Sequence, residues 1–205
     1  MHCDGARTGI ALEERNLEGL ALARQAAITG ALMAATILLI GRAAASSIDE
    51  IRVGAALQDT GPFADNKEKG AALSAEVLFD SPEALAFLGR PRPQAGVSVA
   101  TAGGATSYAY AGLAWDQSIG RRFFVSAAAG FAVHDGETGL DSGEPIRPES
   151  AYLGCRLVAR LAGDVGYRLS ERLSLSVHLS HLSNAGLCSP NEGLDALGFR
   201  LGYRF

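Results

Sequence analysis

The stretch on which the fold turns is Leu173-Ser-Leu-Ser-Val-His-Leu-Ser-His-Leu-Ser183. Leu173, Leu175, Val177 and Leu179 alternate with Ser174, Ser176, His178 and Ser180. Successive side chains of an extended chain point to opposite faces, so the alternation describes a strand with one apolar and one polar face. Working outward, the same period of two recurs. Ile51, Val53, Ala55 and Leu57 alternate with Arg52, Gly54, Ala56 and Gln58. Leu73, Ala75, Val77 and Phe79 do so next, then Ala95, Val97 and Val99. Residues 106–116 form a fourth strand with Tyr108 and Tyr110, whose faces the pattern does not assign. Phe123 to Val133, Leu153 to Leu161 and Leu197 to Phe205 complete the set.

Eight strands of this length are expected, an even number, most able to span a bilayer at about 9–11 residues each. Two architectures bury one face of every strand. A soluble sandwich or lipocalin-like barrel puts the apolar face inside, and a transmembrane barrel puts it outside against lipid. Three features favour an all-β, eight-stranded antiparallel transmembrane barrel. With the first strand starting in the periplasm, the turns 116–121 and 168–171 fall on the periplasmic side and are short, whereas most outer connections are longer. The exceptions are a short connection around Gly103-Gly104 and a long 80–93 segment with room for a short helix. Phe79, Trp115, Phe123, Tyr167, Tyr203 and Phe205 gather at periplasmic strand ends, where amphipathic rings favour the headgroup level. The polar face carries Glu76, Arg156, Arg160, Arg200 and Arg204, which can pair inside a filled lumen.

Composition agrees with this division of faces. The chain has 205 residues, is 48% hydrophobic with 25 glycines, and carries a net charge of -4, which leaves no basic field for nucleic acid. Lys67 and Lys69 are the only lysines beside sixteen arginines. Residues 1–45 read as a leader: Arg24, an apolar run from Ala26 to Ile40, then small residues at Ala43-Ala44-Ala45-Ser46. The run is shorter than the ~20 residues a transmembrane helix needs. An uncleaved N-terminal anchor is the alternative. The expected mature domain is therefore 46–205. Cys155 and Cys188 form one disulfide or remain two thiols, and neither spacing suggests a metal site.

One strand end carries chemistry. His181 and Ser183 are two apart, hence on one face, and about 6.5–7 Å apart along the backbone. A nucleophile then sits beside a general base. Both continue the outward, odd-numbered row of strand seven, and Asp195 belongs to the odd row of strand eight. If paired residues of these strands sum to 376, Asp195 lies directly opposite His181, with Cβ atoms about 4.5–5.5 Å apart. A histidine and an acid on a lipid-facing row are costly unless they act or lie at the interface. The bland alternative is a polar strand end opening an extracellular turn. His134 and Asp135 read as a loop-anchoring pair, and His178 points into the lumen. Lys67, Lys69 and Arg147 lie in expected outer loops, where they could meet lipid phosphates or simply be solvated.

The run HLSNAGL at 181–187, PNEGLD at 190–195 and GFRLGYRF at 198–205 resembles the C-terminal signature of the PagL family, lipid A 3-O-deacylases of Gram-negative outer membranes. IRVGAALQD at 51–59, TSYAYAGLAW at 106–115 and GFAVHDG at 130–136 are similar too. The terminal strand ending in Phe205 resembles the assembly signal of bacterial outer-membrane barrels. The resemblance implies an eight-stranded barrel with a Ser-His-acid hydrolase site on its outer surface, facing the outer leaflet. It implies His181 as base, Ser183 as nucleophile, and an oxyanion region at Asn184, Ala185 and Gly186. The family's acidic residue, a Glu, falls at Asp195, with Glu192 as the nearby substitute. The implied reaction removes the ester-linked 3-hydroxyacyl chain at position 3 of lipid A and needs no metal or cofactor. A catalytically silent structural or partner-binding barrel is the competing expectation.

Overall fold

The structure is a computed structural model that describes residues 47–139 and 147–205. The expected leader, 1–45, and the start of the mature chain at Ser46 lie outside the described residues. Eight strands form one closed barrel in the order β1 (Ile48–Gln58), β2 (Ala71–Phe79), β3 (Arg92–Ala100), β4 (Tyr108–Ile119), β5 (Phe123–His134), β6 (Leu157–Arg168), β7 (Leu173–Ser183) and β8 (Leu194–Arg204). Every neighbouring pair is antiparallel, and β1 closes on β8. Closure leaves no unpaired strand edge, which a hydrocarbon environment demands.

Parity fixes the two faces. Even-numbered residues point inward along β1, β2, β7 and β8. Tyr108 and Tyr110 follow the same parity, are buried, and so assign the faces of β4. Odd-numbered Val53, Leu73, Val165 and Phe199 stay 49–63% exposed in a belt around the wall. A soluble protein rarely leaves so large a contiguous apolar surface in water. Inside, Arg52, Glu76, Asp164 and Arg200 are buried, so the apolar interior of a lipocalin-like carrier is absent.

The lumen is a linked set of charges. Arg52 contacts Glu50 at 2.8 Å, and Arg92 bridges Glu50 at 2.9 Å and Asp116 at 2.5 Å. Arg200 pairs with Glu76 at 3.2 Å, and Tyr110 donates to Glu76 at 2.9 Å. Arg160 lies over the Tyr110 ring at 3.8 Å. His178 Nδ1 meets Asp164 at 3.2 Å. Buried pairs like these add little net stability, but removing one partner strands the other at several kcal/mol.

All strand-end aromatics expected together do share one rim, the one where β1 starts and β8 ends, called here the near rim. Phe123 and Tyr167 pack edge to face at 5.1 Å, Tyr203 and Phe205 at 5.3 Å, and Trp115 donates to Leu88 O at 2.8 Å. Leu88 ends a short 3₁₀ helix, Glu83–Leu88, within the 80–93 connection. The far rim holds the connections 59–70, 101–107 and 184–193, together with the described residues 135–139 and 147–156.

Strand six differs from expectation. It starts at Leu157, not Leu153, and runs on to Arg168. Leu153 is fully buried with Tyr108, Tyr110, Leu182 and Leu194 in a cluster at the far rim. Arg156, expected in the lumen, is exposed and donates to His134 O at 3.3 Å and Gly136 O at 2.8 Å. Arg204 is half-exposed at the near rim, against Asp49 and Glu50.

Candidate active site

The far-rim end of β7 and the start of β8 place the candidate residues. The observed register pairs His181 with Asp195, and Leu179 with Leu197 below them. This is the pairing that sums to 376. His181 Nδ1 and Asp195 Oδ1 are 2.6 Å apart. An ionised Asp195 only accepts, which assigns the proton to Nδ1 and leaves Nε2 with its lone pair. Nε2 has no hydrogen-bond partner among the described residues.

Asp195 belongs to the outward row yet is completely buried. The β1–β2 connection folds over it. Phe63 N donates to Asp195 Oδ2 at 2.8 Å, and Thr60 N reaches the Asp195 main-chain oxygen at 3.4 Å. The Phe63 ring packs edge to face on His181, with centroids 5.3 Å apart. This approach needs glycine at two positions. A Cβ on Gly61 would lie 2.2 Å from Asp195 Oδ2, and one on Gly193 would lie 2.6 Å from His181 Cε1. The carboxylate thus accepts from both the imidazole and a backbone amide, and a loop shields it from water. A carboxylate placed this way holds the ring in one orientation and one tautomer.

Ser183 closes β7 on the same row as His181, opposite Ala159 of β6. Its Oγ makes no hydrogen bond among the described residues. The two side chains share a face without a hydrogen bond between them; catalytic hydrogen bonds are often long or absent until substrate binds.

Beyond Ser183 the chain turns sharply. Ala185 and Gly186 both take left-handed backbone conformations, with φ of 54° and 77°. Asn184 is buried and holds this turn. Its side-chain amide donates to Leu153 O at 3.0 Å and Pro190 O at 2.8 Å, and its Oδ1 accepts from Gly186 N at 2.8 Å. The Asn184 side-chain donors and the Gly186 amide are therefore committed to the loop, and the Ala185 amide is left without a partner among the described residues. Cys155 and Cys188 form a disulfide that ties this loop to the start of β6.

The other singled-out residues lie elsewhere. Glu192 pairs with Lys67 Nζ at 2.5 Å and accepts from Tyr152 N at 2.9 Å, and it does not bond His181. Lys69 is exposed, and Arg147 pairs with Glu137 at 3.0 Å. His134 Nε2 meets Cys155 O at 2.7 Å, and Asp135 accepts from Ser107 N at 2.7 Å, so both anchor loops. Among the described residues no cluster of three His, Cys, Asp or Glu side chains is placed to hold a metal. Sequence reasoning missed Gly61, Phe63 and Gly193. The Gly61-Pro62 pair marks a turn, but nothing in the sequence links Phe63 to a carboxylate 132 residues away.

Comparison with known proteins gives a family and a fold. A family model described as lipid A 3-O-deacylase (PagL) matches residues 90–204, a span that contains His181, Ser183 and Asp195. The crystal structure of the outer-membrane enzyme PagL superposes with a TM-score of 0.53 at 14% identity, covering 76% of this chain and 99% of that one. The crystal structure of Neisserial surface protein A gives 0.53 at 10% identity, covering 78% and 99%. At these identities the two likenesses establish the barrel fold alone. No curated protein sequence matches the chain. The family match covers more than half of the residues, and the chain belongs to the PagL family of lipid A 3-O-deacylases.

Proposed function

We propose that this barrel is an outer-membrane esterase that removes the ester-linked 3-hydroxyacyl chain at position 3 of lipid A. The observation that carries the reading is the 2.6 Å hydrogen bond from His181 to the buried Asp195, on the lipid-facing row that also bears Ser183. A hydrogen-bonded polar pair on that row has no structural purpose that an apolar pair like Leu179 and Leu197 would not serve better.

His181 Nε2 takes the proton as Ser183 Oγ attacks the ester carbonyl, and Asp195 stabilises the imidazolium that forms. The Ala185 amide, next but one to the nucleophile, donates to the oxyanion. Asn184 and Gly186 serve that donor by fixing the turn around it. The imidazolium returns its proton to the departing sugar hydroxyl, and water then releases the acyl group as a 3-hydroxy fatty acid. Lipid A arrives by lateral diffusion in the outer leaflet, with its acyl chain along the apolar row below the pair. Residues 1–45 act as an export leader that is removed, and 46–205 form the barrel domain.

The test is release of 3-hydroxy fatty acid from purified lipid A by the folded barrel in detergent. Wild type releases it, and Ser183→Ala does not. A folded wild-type barrel that releases none would leave the silent-barrel reading standing.

A further inference from the structure

The near rim carries charge that the proposed reaction does not use. Arg121, Arg122 and Arg172 are exposed in its two short turns, and Arg168 is half-exposed at the end of β6. Among the described residues none of the four pairs with a carboxylate. The β1–β3 side of the same rim is compensated: Arg90 pairs with Glu83, and Arg92 and Arg204 pair with Asp49 and Glu50. Asp116, beside the first turn, is spent on Arg52 and Arg92 in the lumen. Glu171 is the one other acid in these turns among the described residues.

Two of the arginines sit in the same local arrangement. Arg122 immediately precedes β5, and its Nη1 donates to Tyr167 Oη at 2.9 Å on the neighbouring strand. Arg172 immediately precedes β7, and its Nη1 donates to Tyr203 Oη at 3.3 Å on the neighbouring strand. The main chain repeats as well, with Arg168 N bonded to Arg122 O at 2.7 Å and Arg204 N to Arg172 O at 2.8 Å. Both tyrosines lie on the outward row, pairing with Phe123 and Leu173. Around them Ile119, Phe123 and Leu169 remain 50–56% exposed.

Each tyrosine therefore stands at the edge of the apolar belt and holds one arm of a guanidinium. The remaining N–H groups of that guanidinium stay free at headgroup depth. Tyrosine favours this depth, and the planar guanidinium matches a phosphate oxygen pair. We propose that the Arg122–Tyr167 and Arg172–Tyr203 pairs form two headgroup sites for acidic phospholipids, with Arg121 and Arg168 adding to the field. The ligand is the phosphodiester of a lipid with net negative charge, in the leaflet opposite His181 and Ser183.

Native mass spectrometry of the folded barrel in detergent, titrated with phosphatidylglycerol or with phosphatidylcholine, tests this without any activity measurement. Wild type should retain phosphatidylglycerol in preference to phosphatidylcholine. Each arginine near an anionic surface contributes about fivefold, so Arg122→Gln with Arg172→Gln should weaken phosphatidylglycerol retention about 25-fold. Phosphatidylcholine retention should stay unchanged. Heat-modifiable migration in gels shows that the variant is still a barrel. Arg90→Gln, on the compensated side of the rim, should leave retention unaltered. Equal retention of the two lipids by wild type would overturn the proposal. So would an undiminished preference in the folded double variant.

Discussion

Asp195 and Glu192 compete for the acid position, and the structure separates them by what each carboxylate touches. Asp195→Asn keeps the volume and the loop but replaces an acceptor-only group with one that also donates. Its amide can donate to His181 Nδ1, which moves the imidazole proton to Nε2 and removes the base. Loss of the acid of such a triad costs about 10,000-fold in kcat, or about 5.5 kcal/mol. The fold should survive. Asp195 Oδ2 accepts only the Phe63 amide, and a weakened neutral hydrogen bond costs about 1 kcal/mol. Glu192→Gln removes the charge from a pair with Lys67 in which both side chains are about a quarter to a third exposed. Partly solvated pairs contribute at most about 1 kcal/mol, and Glu192 does not touch His181. Activity of that variant should stay within about threefold of wild type. The assay is initial-rate release of 3-hydroxy fatty acid from lipid A, with equal folded fractions confirmed by heat-modifiable migration. Asp195→Asn retaining more than a tenth of wild-type kcat would refute the reasoning, as would Glu192→Gln falling as far.

Further outcomes follow from the loops around the pair. Gly61→Ala should lower kcat at least tenfold, because its Cβ would intrude to 2.2 Å of Asp195 Oδ2 and lift Phe63 off His181; the same rate assay checks it. Gly193→Ala should do likewise by pressing on His181 Cε1, which a kcat loss with little change in KM would register. Opening the Cys155–Cys188 disulfide with a phosphine, or by Cys155→Ala with Cys188→Ala, should leave the barrel folded. It should raise hydrogen exchange at residues 184–193 and lower kcat several-fold, because the loop that carries the Ala185 amide loses its tether. Unchanged exchange in that loop would show that the Asn184 bonds alone hold it.

Most of the barrel was legible because alternation is a direct record of which side chains avoid which solvent. The outward row, the polar lumen and the shared rim of aromatics all follow from parity. The register of β7 on β8 followed too, once the connection was taken as symmetric about residue 188. Strand six shows where alternation misleads. Leu153 and Cys155 continue the odd alternation of Leu157 and Ala159, yet Leu153 is buried at the far rim and Cys155 is tied to Cys188. Alternation identifies residues hidden from water, but a lipid-facing wall and a plug under the loops both hide them. In the candidate site, His181, Ser183 and Asp195 were visible because they lie on strands with a period. Gly61, Phe63 and Gly193 lie in connections, where no period operates and contacts span the length of the chain. The proposed oxyanion segment is readable as a run of residues, whereas which of its donors stay free depends on what Asn184 bonds across the loop, a contact that no sequence period records.

The central claim is that Ser183 on the outer wall of the barrel deacylates lipid A. Mass spectrometry of lipid A from Gram-negative cells expressing the wild-type chain or Ser183→Ala tests it most directly. Wild type should shift lipid A down by the mass of one 3-hydroxyacyl group, and Ser183→Ala, equally folded in the outer membrane, should leave it unshifted. Unshifted lipid A with the folded wild type, or the same shift with Ser183→Ala, would contradict the claim.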